Sequence, residues 1–500
     1  MRAAVIDLGS NSFRLQLSQL GRDGTISSVH EERRMLHLGG VVALHGHLPE
    51  ASVHRAIGAA RELADLTERV GCDRTFAVAT SALREAANGP EVVDELSRAI
   101  GIQVKVVDGL EEARLSFLGA GAAVRLPEGE RMVLDLGGGS LEVAVGTGPW
   151  PDRTTTHLLG VSRLHALIGV PDALDRPTRR RLADLVTAGL AGAPTDHAGP
   201  VVAVGGSIRA IAEVVAARRS SWVPPSVNHI TMTRDEVVAV TKEMSPLGQH
   251  DRVDIMGVRE SRAVDLPVAG VILATAMAHL GTDRVVVSDW GLRTGVLVEG
   301  LGLKVPVGEA VWRRSVDALR DRFLPDDPHP EHVEELVGQL WLQLEPLHRL
   351  PGEDLRVVTA GALLHDIGRA LSFDGHHKHS AYLVEHAGLR GLEPDELAAV
   401  LSLVVSHRGG PPKRRYPPFA SLPSRYRDRV LRMAALLQLA DALDRPRDGA
   451  VREVVVGDDG GSLIIRLRGV DVSPPRPGAA DARIAHAEAV FGRRIEFVVE

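Results

Sequence analysis

Residues 133–145, VLDLGGGSLEVAV, set an apolar run against an acidic residue, a cluster of small residues and a second apolar run. The same order stands at 4–17, AVIDLGSNSFRLQL. An apolar run bounded by Gly and Ser reads as a buried strand, and the run after it as the return strand of a hairpin. The pattern thus predicts one hairpin twice, with Asp7 and Asp135 at corresponding positions. Mixed strand and helix patterning of similar extent follows each copy, which predicts an α/β protein with two like lobes facing each other. A third Gly-rich element, VVAVGGSIRAIAEVV at 201–215, reads as strand, turn and helix. Helical periodicity dominates 305–450. The tail reads as strand, turn, strand, a polar helix and RRIEFVVE, a small α+β cap. The expected division is 1–124, 125–304, 305–450 and 451–500.

Composition narrows this picture in a few respects. Five hundred residues exceed what one core holds, so three or four structural units are expected. The longest apolar run, 266–278, is shorter than the roughly 20 residues a membrane span needs, and reads as a buried helix. The first strand begins at the N-terminus, where a signal peptide would stand. The single cysteine, Cys72, fits a reducing compartment, so a cytoplasmic protein with no membrane association is expected. With a net charge of −7, any polyanion must be held by a local patch.

The chemistry starts at the turns. A Gly-rich hairpin lets several backbone N–H groups point at one spot without interference from Cβ atoms, which makes an anion-binding nest. Gly9, Ser10, Asn11 and Ser12 form the first such loop, and Gly137, Gly138, Gly139 and Ser140 the second. Gly205, Gly206 and Ser207 add donors at a helix N-terminus, where the helix dipole also favours an anion. An Asp at the strand end can hold Mg2+, directly or through water. Glu142, two residues beyond Ser140 on the return strand, faces the same way as that serine. Glu111 and Glu112 in EEAR are expected to open a helix just after a strand.

Paired phosphate loops on facing lobes resemble the acetate and sugar kinase, Hsp70 and actin superfamily, built from two ribonuclease-H-like lobes. Within it, VIDLGSNSFRL, ATSALREAANG, VVDGLEEARLSFLGA, LDLGGGSLEVAV, VGGSIRAIA and VSDWGLRTGVL follow in that order. Together they resemble the exopolyphosphatase and guanosine pentaphosphate phosphatase (Ppx/GppA) family over residues 1–300. The resemblance implies Glu112 as the general base that activates water against a terminal phosphorus, with Glu111 as its less favoured neighbour. It implies Arg84 as a phosphate clamp facing the cleft, and Asp7, Asp135 and Glu142 as carboxylates around Mg2+ or Mn2+. Leu141 departs from the family's usual Thr after GGGS, removing one hydroxyl ligand and leaving the backbone nest intact. The implied activity is removal of terminal phosphate from inorganic polyphosphate. Guanosine pentaphosphate 5′-phosphatase activity, a regulatory protein binding guanosine tetraphosphate, or catalysis at a separate metal site are the alternatives. The resemblance also implies a homodimer.

Nine of the 21 histidines fall between 329 and 407. The order of PHPEHVEEL, ALLHDIGRAL, HHKHSAYLVEHAG, LVVSHRGG and LADALDRPR resembles a His-Asp (HD) phosphohydrolase domain. That resemblance implies convergence of His332, His365, Asp366, His379, His407 and Asp441 on one or two divalent metals such as Mn2+, Fe2+ or Mg2+. The bland alternative is a helical scaffold without metal. His376 and His377 read as a polar loop. Between His407 and Arg432 eight Lys and Arg residues stand against one acid, Asp428. Lys413, Arg414, Arg415, Arg425 and Arg427 there are candidates for tracking a phosphate chain. Three tyrosines and eight phenylalanines in the whole chain leave few stacking platforms, which argues against nucleic acid.

Overall fold

The computed structural model describes residues 1–21, 24–169, 172–475 and 481–500. Both predicted hairpins form. β1 (Arg2–Leu8) pairs antiparallel with β2 (Ser12–Leu20), placing Asp7 opposite Arg14. β3 (Ile26–Met35) extends the sheet beyond β2, while β4 (Arg74–Ala79) and β5 (Val104–Val106) add parallel strands on the other side of β1. The order is β3-β2-β1-β4-β5.

The second sheet repeats this plan. β6 (Arg131–Leu136) pairs antiparallel with β7 (Leu141–Gly146), placing Asp135 opposite Glu142, and β8 (Arg153–His157) follows β7. β9 (Val201–Val204) lies parallel to β6. β10 (Thr231–Thr233) and β11 (Arg284–Ser288) complete the order β10-β11-β9-β6-β7-β8. The shared topology explains the repeated sequence pattern. In each lobe the first strand is central and flanked on both sides, so its residues are apolar until the Asp near its end. Ala3, Ala4, Val5 and Ile6 are fully buried in β1, as are Met132 and Leu134 in β6.

The chain divides into two compact units, Met1–Arg219 with Ser226–Val311, and Ser220–Pro225 with Trp312–Glu500. Both sheets belong to the first. In it, the helix Gly109–Gly121 crosses the helix Leu292–Gly300 at glycines. A Cβ on Gly119 would lie 2.0 Å from the Gly291 carbonyl oxygen, and one on Gly295 would lie 2.0 Å from the Leu115 carbonyl oxygen. Backbone meets backbone there, which fixes the seat of the helix that carries Glu112. The apolar run 266–278 forms the largely buried helix Leu266–His279.

In the second unit, helices and the sheet of β12 (Val451–Asp458), β13 (Ser462–Gly469) and β14 (Arg494–Val499) share one core. Leu336, Leu363, Leu401 and Leu437 pack in the same cluster as Ile465 and Leu467. Trp222 joins this unit, its indole N–H donating to Glu385 Oε1 at 2.9 Å. Among the described residues, no helix is long and apolar enough to cross a membrane.

Candidate active site

The tips of the two hairpins touch. A Cβ on Gly138 would lie 2.9 Å from the backbone nitrogen of Asn11, and one on Gly139 would collide with the hydroxyls of Ser81 and Ser10. Only glycine allows this approach. Ser10 Oγ accepts the Ala82 N–H at 2.9 Å, tying the first hairpin to the helix Ser81–Glu85. Behind the second hairpin, the carbonyls of Gly137, Gly138 and Gly139 accept from the N–H groups of Val161, Arg163 and Gly160, each at 3.1 Å. In a trans peptide the next N–H points the opposite way. The amides of Gly138, Gly139 and Ser140 are therefore turned away from the helix Val161–Ile168.

One cleft is lined by Asp7, Gly9, Ser10, Asn11, Ser12, Glu112, Asp135, Gly137, Gly138, Gly139, Ser140, Gly205, Gly206 and Ser207. Loops that are distant in the chain thus share a single crevice. Asp108 caps the helix Gly109–Gly121 by accepting the Glu111 N–H at 2.7 Å. This first turn sends the two adjacent glutamates to different places. Glu111 pairs with Lys105 on the outside, whereas Glu112 is 8% exposed and faces the cleft. One turn further along, Ser116 donates to Asp135 Oδ2 at 2.5 Å and joins this helix to the second hairpin.

Arg84 sits differently from the expectation. Its Nη1 donates to the Val107 carbonyl at 2.7 Å and to Glu112 Oε2 at 3.3 Å. Arg84 is not among the residues lining the cleft, and its Nη1 is held by these two oxygens beside Glu112. Glu142 is 1% exposed and also set back from the cleft surface. It accepts the Thr156 hydroxyl at 3.0 Å through Oε1, while its Oε2 is buried without a hydrogen-bond partner.

The electrostatics of the cleft are unusual on both signs. Burial pushes the Glu112 carboxyl up to about 8, with Arg84 opposing and Asp135 and Asp7 adding to the rise. Asp7, Asp135 and Glu142 are likewise raised, first by burial. Glu142 is raised further by Glu112 and Asp135. Four arginines that the sequence reading passed over line the same cleft: Arg14, Arg209, Arg262 and Arg293. Burial and then Arg293, Arg209 and Arg262 hold Arg14 well below its ordinary value, and Arg262 is lowered to about 10, chiefly by burial. Buried carboxylates crowd one another, and so do buried guanidiniums. Hard oxygen donors with an unpartnered Oε2 are what Mg2+ or Mn2+ takes, and the arginines and turned amides are what phosphate oxygens take.

Two of these arginines carry a signal in sequence. Arg14 follows Ser12 by two residues on β2, so both side chains share a face. Arg209 stands three residues after Gly206 in the first turn of the helix Gly206–Arg219.

In the second unit, His365, Asp366, His407 and Asp441 do converge. His332 and His379 do not join them. His332 approaches Glu335 at 3.8 Å and Asp444 at 4.0 Å, and His379 packs beside Gly368. Their places are taken by His329 and His376, each three residues earlier and thus one helical turn away on the same side. His376 and His377 are not a loop; they open the helix His376–His386, with His376 buried. Of the basic stretch, Lys413 and Arg415 line a surface groove and Arg414 and Arg425 are exposed. Arg427 departs from the expectation, since its Nη1 donates to the carbonyls of Ala420 and Leu422 and so secures a helix end.

Paired sheets of one topology with apposed Gly-rich hairpins define a two-lobed, actin-like α/β protein followed by a helical region. Residues 20–304 match the model of the Ppx/GppA phosphatase family, and residues 311–458 match domain III of the Ppx/GppA phosphatases. The chain belongs to the Ppx/GppA phosphatase family. The crystal structure of the Aquifex aeolicus family member is similar at 28% identity with a TM-score of 0.52, covering 60% of this chain and 97% of that one. A type II variant of the Aquifex aeolicus Ppx/GppA phosphatase matches at 29% identity and a TM-score of 0.50, covering 60% and 99%. An exopolyphosphatase from Cytophaga hutchinsonii shares the fold at 23% identity and a TM-score of 0.55, covering 61% and 99%.

Proposed function

We propose that the cleft of the first unit removes the terminal phosphate of inorganic polyphosphate by water that Glu112 activates. The observation that carries this reading is the meeting of crowded carboxylates and crowded arginines around the Gly-rich loops. A multiply charged anion together with a divalent cation relieves both crowds at once. Asp7, Asp135 and Glu142 hold the cation, which when bound supplies positive charge to the phosphoryl oxygens. The amides of the two hairpins and of the Gly205–Ser207 turn hold the outermost phosphoryl group. Arg14, Arg209, Arg262 and Arg293 neutralise the phosphates behind it. Glu112, steadied by Arg84, accepts a proton from water as the water oxygen attacks phosphorus and the anhydride oxygen leaves. The leaving group is a stable anion, so a general acid contributes little and positioning dominates.

None of the residues lining the cleft is aromatic, which favours an inorganic chain over a nucleotide such as guanosine pentaphosphate. Parallel assays of phosphate release from long-chain polyphosphate and from guanosine pentaphosphate test the choice; faster turnover of the nucleotide overturns it.

The pH profile follows from the base. An ionised carboxylate is required, and the folded, cation-free site keeps Glu112 protonated up to about 8. At limiting Mg2+, kcat/KM therefore rises with pH towards an inflection near that value, and saturating Mg2+ moves the inflection down. A profile flat across that point removes Glu112 from the role of base. The sign for stability is the opposite. The unfolded chain ionises this group near 4.5 and the folded chain near 8, so retaining it becomes more costly as pH rises through that interval.

A further inference from the structure

Three parts of the first unit's cleft are tied to one helix of five residues, Ser81–Glu85. Its Ala82 N–H donates to Ser10 Oγ of the first Gly-rich loop at 2.9 Å. Its Arg84 donates to Glu112 Oε2 at 3.3 Å and to the Val107 carbonyl at 2.7 Å. Its last residue, Glu85, accepts from Arg163 Nη1 at 2.6 Å through Oε2. Arg163 belongs to the helix Val161–Ile168, and its own N–H donates to the Gly138 carbonyl of the second Gly-rich loop at 3.1 Å. Ser81 closes the set. Its hydroxyl donates to Glu85 Oε1 and stands where a Cβ on Gly139 would go. The two loops and Glu112 are therefore joined through a side-chain pair, Glu85 and Arg163, whose members lie 78 residues apart in the chain.

A helix this short does not hold its own place, because the cost of nucleating one turn exceeds what that turn returns. Thr80, at its N-cap, makes no side-chain capping bond. Anchors outside the helix do the holding. Asn88, just beyond it, accepts the Leu48 N–H and donates to the Leu48 carbonyl, both at 2.9 Å. The anchor towards the second loop is Arg163. Neither Glu85 nor Arg163 lines the cleft, so neither touches a bound substrate. The pair is also a poor plain fastener. Both side chains keep about a fifth of their surface in solvent, where an ion pair adds little to folding stability. Arg163 Nε, moreover, is buried with no hydrogen-bond partner among the described residues, which costs stability.

We infer that Glu85 and Arg163 are positioning residues: they fix the offset between the two Gly-rich loops and, through the same helix, the aim of Glu112 at the phosphorus those loops present. The inference rests on the reading of the cleft proposed above and adds two residues to it. The pair exchanges no proton and makes no bond; its work is geometric. In-line attack needs water, phosphorus and leaving oxygen in register, and a displacement of about 1 Å lowers the rate by about 10²-fold. Arg14, Arg209, Arg262 and Arg293 hold the chain behind the reacting group, and none of them stands on the helix Ser81–Glu85. Affinity for a long chain therefore survives a slack loop. The pair acts on kcat and leaves KM nearly alone.

Steady-state phosphate release from long-chain polyphosphate by the full chain, at saturating Mg2+, tests this. Glu85→Gln and Arg163→Gln each lower kcat by about 10–100-fold, with KM within about threefold of the unaltered chain and the melting temperature unchanged. The double variant is no slower than either single one, because the second change removes a contact already lost. Full kcat in both single variants overturns the inference. So do losses that multiply in the double variant, or a fall in kcat that follows a rise in KM or a drop in melting temperature. Glu112→Gln, assayed alongside, separates the two levels. If it releases phosphate at the full rate, the reading of the cleft fails and the role of the pair falls with it. If it is slow while both glutamine variants of the pair are fast, the pair alone is overturned.

Discussion

Glu112→Gln lowers kcat for phosphate release from polyphosphate by about 10²–10⁴-fold, the contribution of a positioned general base, and leaves KM nearly unchanged. Glutamine keeps the volume and the hydrogen-bonding capacity of the protonated carboxyl at a site that is 8% exposed, so the protein still folds and binds substrate. His365→Ala, in the second unit, leaves polyphosphate hydrolysis unaltered. Steady-state phosphate release in the two variants checks both statements. Full activity in Glu112→Gln, or its loss in His365→Ala, would place catalysis elsewhere.

Arg14→Gln raises KM for polyphosphate by about 10–100-fold, from the roughly 1.5–3 kcal/mol of a hydrogen bond between charged groups. The substitution carries a second signature. Arg14 is crowded by Arg293, Arg209 and Arg262, so the ligand-free variant loses repulsion along with charge. Its melting temperature in phosphate-free buffer does not fall, although Asp7 loses the neighbour that most offsets its burial. A drop in thermal stability with unchanged KM would make Arg14 a structural residue only.

The lobes were legible because a central strand must be apolar until it ends, and each Asp marks that end. Hairpin, acid and Gly-rich turn are local in sequence, so the repeat could be seen without knowing how the sheets pair. Glu112 came from the family resemblance, and the distinction from Glu111 became physical only when the capped helix turned one side chain towards Lys105 and the other inwards. The cleft arginines come from four separate segments, and burial makes them matter; nothing local marks Arg262 as anything but surface charge, and Arg293 stands in the VSDWGLRTGVL motif with no local sign that it is buried. The histidine cluster differs from its sequence expectation by one helical turn at two places. HPEH and HHKH each offer two histidines at i and i+3, and the neighbouring helices decide which one faces inwards. The charge of Arg84 is likewise visible in the sequence, whereas its partners, the Val107 carbonyl and Glu112, are set by the fold.

The four arginines have a consequence for handling the protein. Without an anion the cleft is a spring compressed by like charges, and any oxyanion that settles among them lets it relax. Folding and ligand occupancy are therefore one linked equilibrium: at a hundredfold excess over its dissociation constant, inorganic phosphate protects the native state by about 2.7 kcal/mol. A calorimetric scan with and without phosphate reads that protection directly, and Arg14→Gln shrinks it.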